Sequence, residues 1–291
     1  MKKIIFLQGG LGNQMFQYAF YLSLKQYQIK VYCDKSIIVN QKAHNGYELE
    51  NIFNIKSTNN FTIFFILKIL YTLKHRFKIN IDFLRKIGFN LIEDTIPSIY
   101  NQNFINSNYT YNLYLGYWQS EKYFINIQNQ IKQTFSFNKN KLSPNTLKCL
   151  NDILSTKNSV SIHVRRGDFL SPKFIKLHGN ICTLEYYEKA IDIINKKNPN
   201  PHFYIFSDDS EWVKKNLRIQ NCTYITFNKN QDSWQDMFLM SQCKHNILAN
   251  SSFSWWGAWL NSYENKIVIA PKQFLNIGDS KDLIPDSWIK I

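Results

Sequence analysis

The run His163-Val164-Arg165-Arg166-Gly167-Asp168 holds the most informative side chains of this sequence. A guanidinium presents a planar fork of donors that matches phosphate oxygens two at a time. The chain contains 30 Lys but only five Arg, and two of those five are adjacent here. Among so many lysines, arginine at this spot points to geometry rather than charge alone. Strand alternation places His163 and Arg165 on one face and Arg166 on the other. The bland alternative is an ion pair with Asp168 that steadies the loop. The phosphate reading is preferred because the run closes a strand, where α/β proteins hold ligands.

Three further runs carry chemistry. In Gly9-Gly10-Leu11-Gly12-Asn13-Gln14, glycines let backbone approach a ligand, and the following helix start favours negative charge. The amides of Asn13 and Gln14 could bond a sugar or a phosphate. A dinucleotide-binding reading would use Gly10, Gly12 and Asp34, but it fails at the third glycine, where Met15 stands. For the glycines alone, a tight strand-to-helix turn is the better reading. In Ser207-Asp208-Asp209-Ser210 the paired carboxylates could bind a metal, yet they precede a helix, where capping is their ordinary work. Finally, Asp236 to Cys243 reads as helix, a strand follows at 246–249, and Asn250-Ser251-Ser252-Phe253 begins another helix. Two serines there offer hydroxyls and free N–H groups to an anion, or simple caps. The tryptophans at 255, 256 and 259 read as core packing.

Positioning these runs requires a regular scaffold. Lys3 to Gln8 reads as a strand, Asn13 to Tyr27 as a helix and Ile29 to Cys33 as a second strand. Residues 40–108 give a poor signal; 111–117 read as a strand and 120–134 as a helix. Strands are predicted at 159–165, 202–206, 222–227, 246–249 and 266–270, and helices at 183–196, 210–217, 232–243 and 252–263. This alternation is the pattern of a doubly wound parallel sheet. Asn138 to Asn158 is the best linker, although Leu142 to Leu154 has helical character. We therefore expect an α/β protein of two Rossmann-type domains, 1–150 and 151–291, with one site in the cleft between them.

The 291 residues are 44% hydrophobic and 19% charged, which excludes a disordered or fibrous chain. Five scattered Cys without a CxxC pair argue against a disulfide scaffold or zinc knuckle and fit a reducing compartment. The net charge is +14, but 34 Asn against six Ala suggest compositional bias, so a solvated lysine surface is preferred to nucleic-acid binding. No apolar run reaches the ~18–20 residues of a membrane span. The start, Met1 to Gln8, is signal-like for only four residues before Gln8 and Gly9 interrupt it.

Gly9 to Tyr18, His163 to Asp168 and Asn250 to Trp256, together with Gly116-Tyr117-Trp118-Gln119-Ser120, His178-Gly179 and Tyr186-Tyr187, resemble glycosyltransferase family 11, the α-1,2-fucosyltransferases. The likeness covers nearly the whole chain. It implies a GT-B-like arrangement, GDP-L-fucose as donor, inverting transfer to the 2-hydroxyl of a terminal galactose, and no required metal or cofactor. By the same resemblance Arg165 would hold the β-phosphate, and His163 and Asp236 would read guanine. Ser251, Ser252 and Phe253 would line the diphosphate, Gly10 and Gln14 would also bind the donor, and Asn13 would reach toward fucose from the first domain, which serves the acceptor.

An inverting transfer benefits from a group that takes the acceptor's proton. Asp168 is the first candidate base and His178 the second. Trp118 could stack on an acceptor sugar, with core packing at least as good a reading. Residues 61–89 match no family motif. They carry Lys68, Lys74, Arg76, Lys78, Arg85 and Lys86 against Asp82, and read either as a buried helix or as a docking face for an anionic membrane. A bacterial cytoplasmic enzyme of surface-glycan synthesis is expected, with no nucleic-acid partner. The alternative enzyme is an NAD-dependent oxidoreductase using the glycine loop and Asp34.

Overall fold

The computed structural model describes residues 1–27, 30–41, 44–95 and 98–291. The chain divides into two compact units, Met1–Ser136 and Phe137–Ile291. The division precedes the expected 150/151 boundary, which falls inside helix α7 (Pro144–Ser155) of the second unit. That helix starts cleanly because Ser143 caps it and Pro144 occupies its first turn. Its buried Thr146, Cys149, Leu150 and Ile153 tie it to the second unit, so the polar stretch predicted as a linker is largely structured.

In the first unit the order is β1 (Lys2–Phe6), α1 (Leu11–Tyr27), β2 (Val31–Asp34), α2 (Ser36–Gln41), α3 (Leu49–Phe53), α4 (Phe61–His75), α5 (Ile81–Lys86), β3 (Phe89–Glu93), β4 (Tyr111–Leu115) and α6 (Gln128–Thr134). The strands form a parallel sheet ordered β2-β1-β4-β3. Ile29, where the sequence began the second strand, lies outside the described residues. Strand β3 falls in the stretch that gave no clear signal. The helix expected over 120–134 is shorter: two 3-10 turns, at Glu121–Tyr123 and Ile125–Ile127, precede α6. Residues 61–89 do contain helices, but α4 buries only Leu67 and Leu70, so the buried-helix reading holds for one face.

The second unit continues after α7 with β5 (Ser159–Val164), α8 (Ile175–His178), α9 (Leu184–Lys197), β6 (His202–Ser207), α10 (Ser210–Asn216), β7 (Cys222–Ile225), α11 (Trp234–Gln242), β8 (His245–Ile247), α12 (Ser252–Leu260), β9 (Val268–Ala270) and β10 (Ile289–Lys290). All six strands run parallel in the order β10-β9-β8-β5-β6-β7. Central strand β5 is buried along its whole length, as helices on both faces require. Val160, Ile162 and Val164 pack with Phe203, Ile205, Ala190 and Ile194 on one side. On the other side Ser161 accepts a 2.7 Å bond from Asn246. The tryptophans of α12 are core: Trp255 stacks on Trp259, meets Trp256 edge-to-face and packs at a tilt against Trp288.

Candidate active site

In the second unit the chain winds outward from β5 through β6 to β7, then returns to β8 on the opposite side of β5. The carboxyl ends of β5 and β8 flank that reversal, the place where open α/β sheets bind ligands. His163 and Arg165 stand at the end of β5, and Asn250 to Phe253 follow β8. Two tyrosines of α9 fix these ends. Tyr187 donates to the His163 carbonyl at 3.0 Å, and Tyr186 to the Leu248 carbonyl at 2.6 Å.

His163 is buried, and burial, helped by the Arg165 charge, lowers its pKa to about 3. The imidazole is therefore neutral at ordinary pH. Its Nδ1 is buried without a hydrogen-bond partner among the described residues. Leaving such a group unpaired costs about 1–3 kcal/mol, which a ligand bond at this atom would recover. The Phe253 ring lies 5.9 Å away.

Arg165 is engaged by two carboxylates. Its Nε and Nη2 each lie 3.0 Å from Asp168 Oδ1, and Nε lies 3.3 Å from Asp208 Oδ2. The ion pair weighed from sequence is thus present, in a side chain still one-third exposed. Asp208 also accepts the backbone N–H groups of Arg166 and Gly167, at 2.9 and 3.0 Å. A Cβ at Gly167 would stand 2.8 Å from that carboxylate, so glycine permits the close approach. Capping therefore describes Asp209, which accepts from the Trp212 N–H at 3.2 Å, but not Asp208. Asp208 anchors the arginine loop, a role that no local pattern of residues marked. Arg166 instead pairs with Asp209 and lies 3.5 Å over the Trp212 ring.

A cavity of about 190 Å³ is lined in part by Arg165, Arg166, His178, Trp212 and Asn250. His178 stacks on Phe169 with centroids 4.6 Å apart. Burial pulls its pKa down, while nearby Asp168 and the Phe274 backbone push it up. Both candidate bases thus belong to one neighbourhood with Arg165. Asn250 spends its amide on the carbonyls of His178 and Phe274, holding the turn before α12. Ser251 caps α12 through the Phe253 N–H at 3.3 Å, and Ser252 begins the helix.

Asp236 lies in the first turn of α11, a helix whose start shares the rim of strand ends. Burial raises its carboxyl to about pKa 7, opposed by a 2.8 Å bond from Asn228. Asn228 is in turn held by Thr146 of α7 at 2.9 Å. No sequence signal marked Asn228.

The first unit has its own reversal, between β1 and β4. The glycine loop follows β1, and Gly116 to Ser120 follows β4. Gln17, buried in α1, ties the two ends: it accepts from the Gln8 N–H at 2.9 Å and donates to the Gly116 carbonyl at 2.8 Å. Gly9 has φ +78°, and a Cβ there would lie 2.6 Å from Asn13 Nδ2. Gly10 closes the first turn of α1 by accepting from Asn13 and Gln14. Asn13, half-buried, accepts a 2.8 Å bond from Gln119. Asp94 accepts from the Tyr117 and Trp118 N–H groups, and burial raises it to about pKa 6.

Burial decides three readings in this unit. Gln14 is fully buried, donating to the carbonyls of Gly9 and Gly46 and accepting from the Glu48 N–H, so its amide shapes the loop. Trp118 is also fully buried, stacked 4.7 Å from Phe20, and belongs to the core rather than to an acceptor surface. Asp34 is buried and accepts from Ser36, Thr58 and Asn60, which leaves no carboxylate for a ribose and removes the residue on which the oxidoreductase reading depended.

All five cysteines are unpaired. Among the described residues no helix is long and apolar enough to cross a membrane.

Comparison with known proteins gives a consistent outcome. The family model described as Glycosyl transferase family 11 matches residues 2–290. An alpha-1,2-colitosyltransferase of Escherichia coli is 34% identical over 292 residues, covering 98% of this chain and 97% of the relative. The O-antigen biosynthesis glycosyltransferase WbnK of Escherichia coli is 34% identical over 302 residues, covering 98% and 99%. Among solved structures, NodZ alpha-1,6-fucosyltransferase soaked with GDP-fucose matches with TM-score 0.54 at 12% identity, over 89% of this chain and 91% of that one. That likeness concerns the fold, and it bears out the GT-B-like α/β class.

Proposed function

We propose that this chain, which belongs to glycosyltransferase family 11, transfers L-fucose from GDP-β-L-fucose to the 2-hydroxyl of a terminal galactose with inversion, in bacterial surface-glycan synthesis in the cytoplasm. The observation that carries this reading is the arginine loop of the second unit, where Arg165 and the start of α12 follow the two strands flanking the reversal. In this reading the second unit binds the donor and the first serves the acceptor.

The diphosphate displaces carboxylate from Arg165 and meets the Ser252 N–H and the serine hydroxyls at the start of α12, the Ser251 N–H being already bonded to the Ala249 carbonyl. The Asp236 carboxylate accepts the N–H groups on the guanine edge, and neutral His163 supplies a hydrogen bond to the same base. Phe253 lines the diphosphate, and Gly10 and Asn13 serve the sugar end of the donor. The galactose 2-oxygen forms its bond to the anomeric carbon as the bond to the β-phosphate oxygen breaks, and that electron pair leaves with GDP. Arg165 and the α12 start stabilise the charge that grows there. The acceptor proton passes to Asp168, freed from Arg165, or to His178.

Transfer of colitose is the second reading, favoured by the 34% identical colitosyltransferase. Colitose is fucose without its 3-hydroxyl, so the two readings differ at one group of the donor. A site that hydrogen-bonds a sugar hydroxyl rejects the analogue lacking it strongly, because its own groups are left unpaired. A matrix of GDP-fucose and GDP-colitose against galactosides, with product linkage assigned by NMR, tests both. GDP release with neither donor across a broad acceptor panel overturns the proposal.

A further inference from the structure

The first unit displays an apolar and cationic surface that neither its core nor the transfer chemistry uses. Helices α4 and α5 bury Leu67, Leu70 and Leu84 in one cluster with Leu91 and Leu113 of the sheet. Their outer sides are not polar, as a solvated helix face is expected to be. Phe61, Phe65 and Ile69 recur at intervals of four and are 60%, 64% and 43% exposed. Phe77, Phe83 and Ile87 add three more large side chains, each over half exposed. Six bare hydrophobic groups within 27 residues form a concentration that a water-facing surface does not require.

The charges around them that lack an opposite partner have one sign. Asp82 is paired with Arg85 at 3.1 Å, and Glu93 takes both Lys74 and His75. Lys68, Arg76, Lys78 and Lys86 have no acidic partner among the described residues. Lys68 lies 4.6 Å over the Phe64 ring and Arg76 6.0 Å over Phe77, so cations and aromatics share the surface. A second copy of this face would bring like charges together. An anionic lipid surface accepts both features at once, phenyl rings at the acyl boundary and cations among the headgroups.

We propose that residues 61–87 form a docking face for an anionic phospholipid bilayer. The proposal is independent of which sugar is transferred. Flotation of the full-length protein is measured with vesicles of phosphatidylcholine alone and with about a third phosphatidylglycerol. Binding to the anionic vesicles, weakened by high salt, is expected. Phe65→Glu and Phe83→Glu, made at exposed positions, reduce partition at least ten-fold. Lys68→Gln and Lys86→Gln each reduce it about five-fold, as for loss of one interfacial cation. Melting temperature and turnover of a soluble acceptor stay at wild-type values, which separates a docking defect from misfolding and from failure of the proposed reaction. Equal binding to neutral vesicles overturns the proposal. So does absence of flotation combined with a reversible dimer in sedimentation equilibrium that Phe65→Glu dissolves.

Discussion

Asp168 accepts from two nitrogens of Arg165 through a single oxygen, Oδ1, each contact at 3.0 Å. If the diphosphate takes the guanidinium, the same event frees the carboxylate that is the first candidate base. Donor binding and base release are then one exchange, which keeps Asp168 masked until a sugar nucleotide is present.

Arg165→Ala should lower kcat by about 10²–10³, the usual effect of deleting one preorganised partner of a developing oxyanion. Arg165→Lys should recover little of this, because an ammonium cannot present the fork that now spans Asp168 and Asp208. Steady-state kinetics with saturating donor decide the matter. A lysine variant near wild type would remove the geometric argument for arginine.

The base is assigned by the pair Asp168→Asn and His178→Phe. Loss of a general base typically costs about 10²–10⁴ in rate. If Asp168 is the base, its variant shows that loss and His178→Phe retains most activity. Burial keeps His178 below its ordinary pKa, so it is neutral near pH 7 and chemically able to accept a proton. Its role would appear as an acid limb in kcat at saturating donor, set by a pKa below the ordinary imidazole range, that disappears in His178→Phe. That result would transfer the assignment to His178.

Asp236 gives a prediction with a definite sign. Its pKa is raised from 3.8 to about 7 by burial, whereas guanine needs the carboxylate. Donor KM should therefore rise as pH falls through about 7, approaching ten-fold per unit, and Asp236→Asn should flatten the dependence while weakening binding. Because the native carboxyl holds its proton over the window from 3.8 to about 7 and the unfolded one does not, the ligand-free fold loses stability as pH rises across it. The thermal shift produced by GDP should accordingly grow from about pH 6 to about pH 8. A pH-independent shift would exclude Asp236 as the guanine acceptor.

The legible parts of this molecule were those with local signatures. Alternating strands and helices after residue 158, the arginine loop at the end of β5 and the serine turn before α12 all follow from periodicity and turn chemistry, and the structure has them within a few residues. Strand β3 was lost because Asn90 and the surrounding Asn-rich sequence hide a short run whose burial depends on distant partners. Gln14 differs from its expected role, and Trp118 was left between two readings, for a related reason: sequence gives a residue's chemistry and not its exposure, and both are wholly enclosed. Asp208 looked like a cap because it precedes α10, but its partners lie on a loop about forty residues earlier, at Arg166 and Gly167.

Gln17 tests whether the first unit's glycine loop depends on the same kind of non-local bond. Its side chain is fully buried and joins the Gln8 N–H to the Gly116 carbonyl, 99 residues from Gln17 in sequence. Gln17→Leu keeps the approximate volume but leaves both backbone groups unpaired, at about 1–3 kcal/mol each. In a unit of 136 residues this should lower the melting temperature by several degrees. GDP affinity measured by calorimetry should remain unchanged, because the groups assigned to the nucleotide belong to the second unit. Transfer should fall with galactoside as acceptor, since Asn13 and Gln119 lose the loop that pairs them. Weakened GDP binding in Gln17→Leu would show instead that the glycine loop holds the nucleotide, and would move Gly10 and Asn13 from the sugar end of the donor to its diphosphate.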